Sequence, residues 1–267
     1  MRIELKIIHW SQTYLSDRPK NMTYSKILLL ASLVLGVCFA TSCSHTDWRT
    51  ADRTSMGLAP LPEEEKEAIV HVYGARAINW RGNFSLHCWI ATKAKDADHY
   101  VTYHVMGFRL DRTGTSVVIE QDIPDRRWFG AEVQLIEELR GAKAEAAIPK
   151  IQELAENYPN AGVYRAWPGP NSNTFVSHII RHTPELGVEL PSNAIGKDWI
   201  DNGDLVGFSE SGTGVQLSAL GALGVTLGLA EGIEVNLLGM SFGVDFWRPA
   251  LKLPFVGRLG FKDAPVY

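Results

Sequence analysis

The chain has 267 residues, 45% hydrophobic and 21% charged, with a formal net charge of −4. That composition is ordinary for a globular protein with one good core and excludes a collagen-like or disordered chain. The balanced charge gives no electrostatic footprint for nucleic acid, and three cysteines, Cys38, Cys43 and Cys88, exclude a disulfide scaffold.

Ile27 to Ala40 is an apolar run of 14 residues preceded by Lys26. It is shorter than the roughly 20 residues a membrane span needs and fits the apolar region of a signal peptide. It leads into Ala40-Thr41-Ser42-Cys43, which resembles a bacterial lipobox, in which the cysteine is lipidated and becomes the mature N-terminus. Residues 1–43 are therefore expected to be an export signal with lipidation at Cys43, and residues 1–21 an extension upstream of a start at Met22. Plain signal cleavage and an uncleaved anchor are the alternatives. Residues 44–67, polar and carrying Pro60 and Pro62, read as a tether, and 68–267 as a single globular domain.

Within that domain Ala68–Arg76 has strand composition. In a second strand, Phe84–Thr92, Leu86, Cys88 and Ile90 share one face while His87, Trp89 and Ala91 share the other. Tyr100–Arg109 is a third strand, with Thr102, His104 and Met106 on one face. A turn at Asp111–Gly114 leads into a fourth, Thr115–Glu120. The spacing of Val133, Ile136 and Leu139 predicts a helix over Ala131–Arg140 that Gly141 ends. Pro149 opens another, with Ile151, Leu154, Ala155 and Tyr158 on one side.

The stretch Trp167–His182 comes next. Pro168 and Pro170 fix the approach to a helix capped by Asn171. Phe175, Val176, Ile179 and Ile180 form its apolar stripe, and Ser172 falls near the middle of that stripe, so it should point inward. Asp201–Gly214 reads as a surface loop. The glycine-rich region Val215–Trp247 is interrupted by Gln216, Glu231, Glu234 and Asn236. It reads as glycine-rich strands packed on the domain, with contact at a membrane surface as the alternative.

A hydroxyl nucleophile needs a base, and His87 and His104 lie on neighbouring strands. Ser172 as nucleophile, His87 as general base and His104 orienting it form the candidate catalytic set. Asn171, Asn173 and Trp167 are the candidate binding residues. Cys88, between Leu86 and Ile90 on its own face, reads as inert core. His178 and His182 have a chelating spacing, but Ile179 stands where a metalloprotease helix carries its acid, so no metal and no cofactor is assigned.

Trp48-Arg49-Thr50-Ala51, His87-Cys88-Trp89-Ile90, Arg165–Phe175, Ala194-Ile195-Gly196-Lys197-Asp198 and Gly239–Leu253 resemble a bacterial family known only as domain of unknown function number 3750. That resemblance implies no activity. The order His87, His104, then Asn171-Ser172-Asn173-Thr174-Phe175 remotely resembles circularly permuted papain-like folds (NlpC-type hydrolases, lecithin retinol acyltransferase, PPPDE peptidases). There a cysteine stands where this chain has Ser172.

The resemblance implies an α+β fold: an antiparallel sheet packed by helices as a permuted papain-like core, with a glycine-rich C-terminal extension. The expected protein is membrane-anchored in the cell envelope. It carries either a hydrolase or acyltransferase-like site or a non-catalytic cleft for a peptide, glycan or lipid, and no nucleic-acid partner.

Overall fold

The fold is α+β, with two antiparallel sheets, in a computed structural model that describes residues 47–262. The signal run, Met22 and Cys43 lie outside the described residues. The first sheet has the order β4-β3-β2-β1-β5. Its strands are β1 (Ile69–Arg76), β2 (Leu86–Lys93), β3 (Val101–Val105), β4 (Val117–Gln121) and β5 (Val133–Arg140).

The expected helix at Ala131–Arg140 is therefore a strand. The reason is a register shift between Val72 and Tyr73, where Leu135 and Glu137 oppose consecutive β1 residues and Ile136 is the extra one. A bulge reverses the alternation of the strand. Val133 thus joins one face of the sheet, while Ile136 and Leu139 pack on the other. The i, i+3 spacing that mimics a helix is an alternation interrupted once.

The other boundaries shift for local reasons. The third strand stops at Val105 and a short helix, α1 (Gly107–Thr113), replaces the expected turn, closed by Gly114 at a φ of 75°. Gly141, expected to end a helix, instead opens α2 (Gly141–Glu156). Pro149 lies inside α2, where the buried stripe Ala144, Ala147, Ile151 and Ala155 holds the helix against the core despite the missing donor.

Helices α2 and α3 (Ser172–His182) cover one face of the sheet, meeting Val70, Val72, Leu86, Cys88, Ile90 and Tyr103. The opposite face carries a smaller cluster of Tyr73, Trp89, Ala91, Trp128 and Val133, with Met56 packed on it. Met56 belongs to the expected tether, and residues 52–60 lie along the domain. Met56 N donates to Asp125 O, Ser55 Oγ to the buried Asp125 carboxylate, and Tyr100 Oη to Pro60 O. Polar composition there reflects anchoring to Asp125.

The second sheet runs as a meander from β6 (Val206–Phe208) through β7 (Gly214–Ala219), β8 (Leu223–Gly228), β9 (Gly232–Leu237), β10 (Met240–Asp245) and β11 (Ala250–Leu253) to β12 (Gly257–Gly260). The expected loop 201–214 thus contains β6. The alternation of this sheet is inverted: Gln216, Thr226, Glu234, Asn236 and Ser241 face inward and are buried. Gln216, Glu234, Asn236 and Ser241 meet the segment Glu189–Ser211, where Lys197 Nζ contacts Asp198 Oδ1 (3.2 Å) and Glu234 Oε2 (2.7 Å). Lys252 pairs with Glu189 and with Glu234, and Asp198 also accepts from Ser241 Oγ and Gln216 Nε2. Lys197 and Lys252 thus each meet buried carboxylates, and the buried Glu231 carboxylate accepts from Ser211 N and Thr213 Oγ1, the kind of pairing and hydrogen bonding that makes such an interior tolerable. Among the described residues no helix is long and apolar enough to cross a membrane.

Candidate functional site

The start of α3 is held by its own polar residues. Asn171 Oδ1 accepts from Asn173 N (2.9 Å) and Thr174 N (3.2 Å), and Thr174 Oγ1 accepts from Asn171 N (3.1 Å), a complete capping box. Asn171 Nδ2 also donates to the carbonyls of Ala166 and Ile195. Gly196, at a φ of 104°, leaves room for that amide; a Cβ there would stand 2.5 Å from it.

Asn173 clamps the helix to β2. Its Oδ1 accepts from Cys88 N (3.1 Å), and its Nδ2 donates to Leu86 O (2.9 Å) and Ile195 O (2.8 Å). Both ends of the Asn173 amide are therefore engaged, and Asn171 occupies the N–H groups of Asn173 and Thr174. These donors serve structure and are not free to form an oxyanion hole beside Ser172.

Ser172 is buried, as its place on the apolar stripe predicts, but no hydrogen bond joins its hydroxyl to His87 or His104 among the described residues. The two imidazoles do meet each other: His87 Nε2 lies 3.3 Å from His104 Nδ1. They sit on the face of the sheet opposite the core under α3, because alternation sends Leu86 and Cys88 toward the helix and His87 and Trp89 away from it. The sheet thus brings two members of the candidate catalytic set together and leaves Ser172 out.

His87 stacks on Trp128 at 3.8 Å between ring centroids and 7° between planes, and Trp89 stacks on His104. Burial, reinforced by the other imidazole, pushes His87 well below the ordinary histidine range. Burial, with a contribution from Arg126, pushes His104 down to about 3. Both rings are neutral at physiological pH. Cys88 is buried, and desolvation holds its thiol far above the usual range, which makes it inert. Trp167 is exposed, and its Nε1 donates to Leu238 O in the turn between β9 and β10.

The face bearing the histidines opens into a cleft of about 580 Å³ lined by Arg76, Asn79, Asn83, Trp128 and Phe129 among others. Asn79 (φ 58°), Phe129 (φ 52°) and Gly130 (φ 89°) all hold left-handed backbone on its walls, a conformation that concentrates at sites of function. The Arg76 guanidinium is positioned by the carbonyls of Gly82 and Phe255. Trp128 separates this cleft from the His87–His104 pair. Sequence reading reached the histidines but missed the cleft; the adjacent Trp128-Phe129-Gly130 is the signal that marked it.

One further constellation also escaped it, and a second was legible only as the spacing of His178 and His182. Glu138, His71 and Tyr73 form a chain of hydrogen bonds, with 2.7 Å at each step, running from the partly exposed Glu138 to the buried His71 and Tyr73. Asp201 brings a carboxylate to the helical pair, Oδ1 lying 2.8 Å from His178 Nδ1 and Oδ2 3.6 Å from His182 Nε2. The acid missing after His178 in the sequence arrives from another segment. It orients His178, while His182 Nδ1 bonds the His178 carbonyl.

These features define an α+β domain with a histidine–tryptophan stack, a walled cleft and an appended sheet of inverted polarity. Residues 67–199 match the family described as "Protein of unknown function (DUF3750)". No curated protein and no solved structure matches the chain. The match ends at Trp199, just past the Lys197–Asp198 hub, so β6–β12 lie beyond the matched residues.

Proposed function

We propose that this chain is an exported bacterial envelope protein, anchored by a lipid on Cys43, whose family domain is a binding or scaffolding module and not a serine hydrolase. The observation that carries the reading is the engagement of His87 by Trp128 and His104 behind an open cleft, away from Ser172. A general base must reach the proton it removes, within about 3.2 Å or through one water. The strand order and the Asn173 clamp are compatible with a permuted papain-like core that has lost its catalytic geometry. The cleft offers a guanidinium, two amides and aromatic walls, a chemistry suited to a glycan or peptide.

Fluorescence titration of the full chain with N-acetylated oligosaccharides and short cell-wall peptides tests the binding role. Saturable binding by one class, weakened about tenfold or more by Phe129→Ala, supports it. Labelling by a serine-reactive fluorophosphonate that disappears in Ser172→Ala would favour the hydrolase instead. For the anchor, Cys43→Ser should shift the protein from the membrane to the soluble fraction.

A further inference from the structure

The outer face of the second sheet is apolar from edge to edge. Val215 and Leu217 on β7, Val225 and Leu227 on β8, and Val235 and Leu237 on β9 all point outward and are exposed. No charged residue in β7–β10 faces that way, because Glu234 and Asp245 are turned inward and buried. An antiparallel sheet in water turns its apolar residues to the core; this one does the reverse. Strands about 20 Å long, spaced about 4.8 Å apart, give a face of roughly 600 Å². That is at the upper limit for a soluble monomer.

The turns carry the same chemistry. At one end Leu220, Leu238 and Phe255 are exposed with φ of 51°, 55° and 67°, positions where asparagine or glycine suits both backbone and water. At the other end Leu229, Phe246 and Trp247 are exposed. A cation sits beside the aromatics at each end. Arg248 follows Trp247, and Arg81 lies 5.2 Å over Trp80, which reaches Phe255 through Phe84.

From this arrangement we infer that the outer face of β6–β12 docks on the surface of an anionic lipid bilayer, beyond the anchoring proposed at Cys43 and independent of it. Apolar tips at both ends argue for lipid over a second copy of the chain. A facing sheet covers the flat of this one and leaves the tips in water, whereas a bilayer covers both. Aromatic and basic side chains around the rim match the interface and its phosphates. Unpaired edges cannot enter the hydrocarbon. The sheet therefore lies face down, its backbone at headgroup level and its side chains reaching about 5–10 Å inward.

The test uses the full chain with Cys38→Ser and Cys43→Ser and a single environment-sensitive fluorophore at Val225→Cys; the buried Cys88 stays unlabelled. Because the run 27–40 can itself hold the chain on vesicles, the readout is depth at a site, not binding. With phosphatidylcholine–phosphatidylglycerol vesicles, emission at Val225 should rise severalfold and be quenched by spin-labelled acyl chains. The same fluorophore at Lys143→Cys, exposed on α2, should not be quenched. Val235, the cross-strand partner of Val225, is exposed, so Val235→Lys should leave the unfolding midpoint unchanged and abolish quenching.

Two results overturn the inference. One is an unquenched Val225 reporter on protein that floats with the vesicles. The other is a reporter already shielded without lipid in a concentration-dependent way, which would assign the face to a second copy. Retention of Cys43→Ser in membranes would remove the lipid anchor and leave this result standing.

Discussion

The carboxylate of Glu138 and the imidazole of His71 meet at 2.7 Å across 67 residues of chain, and His71 Nδ1 accepts from Tyr73 Oη on its far side. The two bonds fix the tautomer, with Nε2 donating to Glu138. Burial lowers the His71 pKa more than Glu138 restores it, so the ring is neutral in the fold. Tyr73→Phe removes one bond and leaves a buried acceptor unsatisfied. The expected loss is about 1–3 kcal/mol in urea unfolding at neutral pH. A smaller change, within about 0.3 kcal/mol, would mean that the chain of bonds does not contribute to stability.

The His87–His104 pair makes a pH prediction of definite sign. Both folded pKa values lie below the ordinary histidine value, His104 at about 3, because burial disfavours the charged ring. Their contribution is complete above about pH 6.5 and is lost as the pH falls from there toward the folded values. The unfolding midpoint should drop progressively below pH 6.5. Imidazole resonances of the folded protein should show no titration at these two residues between pH 8 and pH 5. Titration of either near pH 6.5 would show the stack open to water.

What the sequence reveals and conceals here divides along physical lines. Alternation in β2 correctly sorts Leu86, Cys88 and Ile90 from His87 and Trp89, because an uninterrupted strand keeps its period of two. The Asn171 cap is equally legible, since capping is local chemistry. β5 is illegible because one bulge at Ile136 breaks the period, and with it the facing of Glu138 toward His71 is lost.

The candidate triad fails for a related reason. Chain order places His87, His104 and Ser172 in sequence, but which face of β2 receives α3 is a packing outcome, and Leu86 and Cys88 receive it. In the C-terminal region Gln216, Glu234 and Asn236 look like interruptions of an apolar stretch. They are the inner face of regular strands, and only the assumption that apolar means buried hides the pattern.

At the start of α3 the two neighbouring residues should respond in opposite ways. Asn173→Ala strips Cys88 N of its acceptor at a buried junction between helix and strand and removes one of two donors from Leu86 O and Ile195 O, which keep Ser85 Oγ and Asn171 Nδ2. Leaving the buried Cys88 N–H unpaired should cost about 1–3 kcal/mol in denaturant unfolding. Ser172→Ala, which breaks no hydrogen bond, should stay within about 0.5 kcal/mol of the parent. Equal losses would show that Ser172 carries a structural role.

Glu210 gives the polar interior its own pH signature. Burial raises its carboxyl to about 7, against the pull of Lys197 and Arg181, and its Oε2 accepts from Leu190 N. A carboxyl raised in the fold contributes stability that is complete below its unfolded value near 4.5 and is lost as the pH climbs through about 7. Above that the protein holds a buried charge at a cost of about 3 kcal/mol. Glu210→Gln keeps the volume and removes the titration. Relative to the parent it should gain up to about that amount at pH 8 and little at pH 5, measured by urea unfolding at both. An equal loss at both pH values would instead mean that Glu210 is charged throughout and needed by Lys197, whose Nζ lies 4.0 Å from its Oε2.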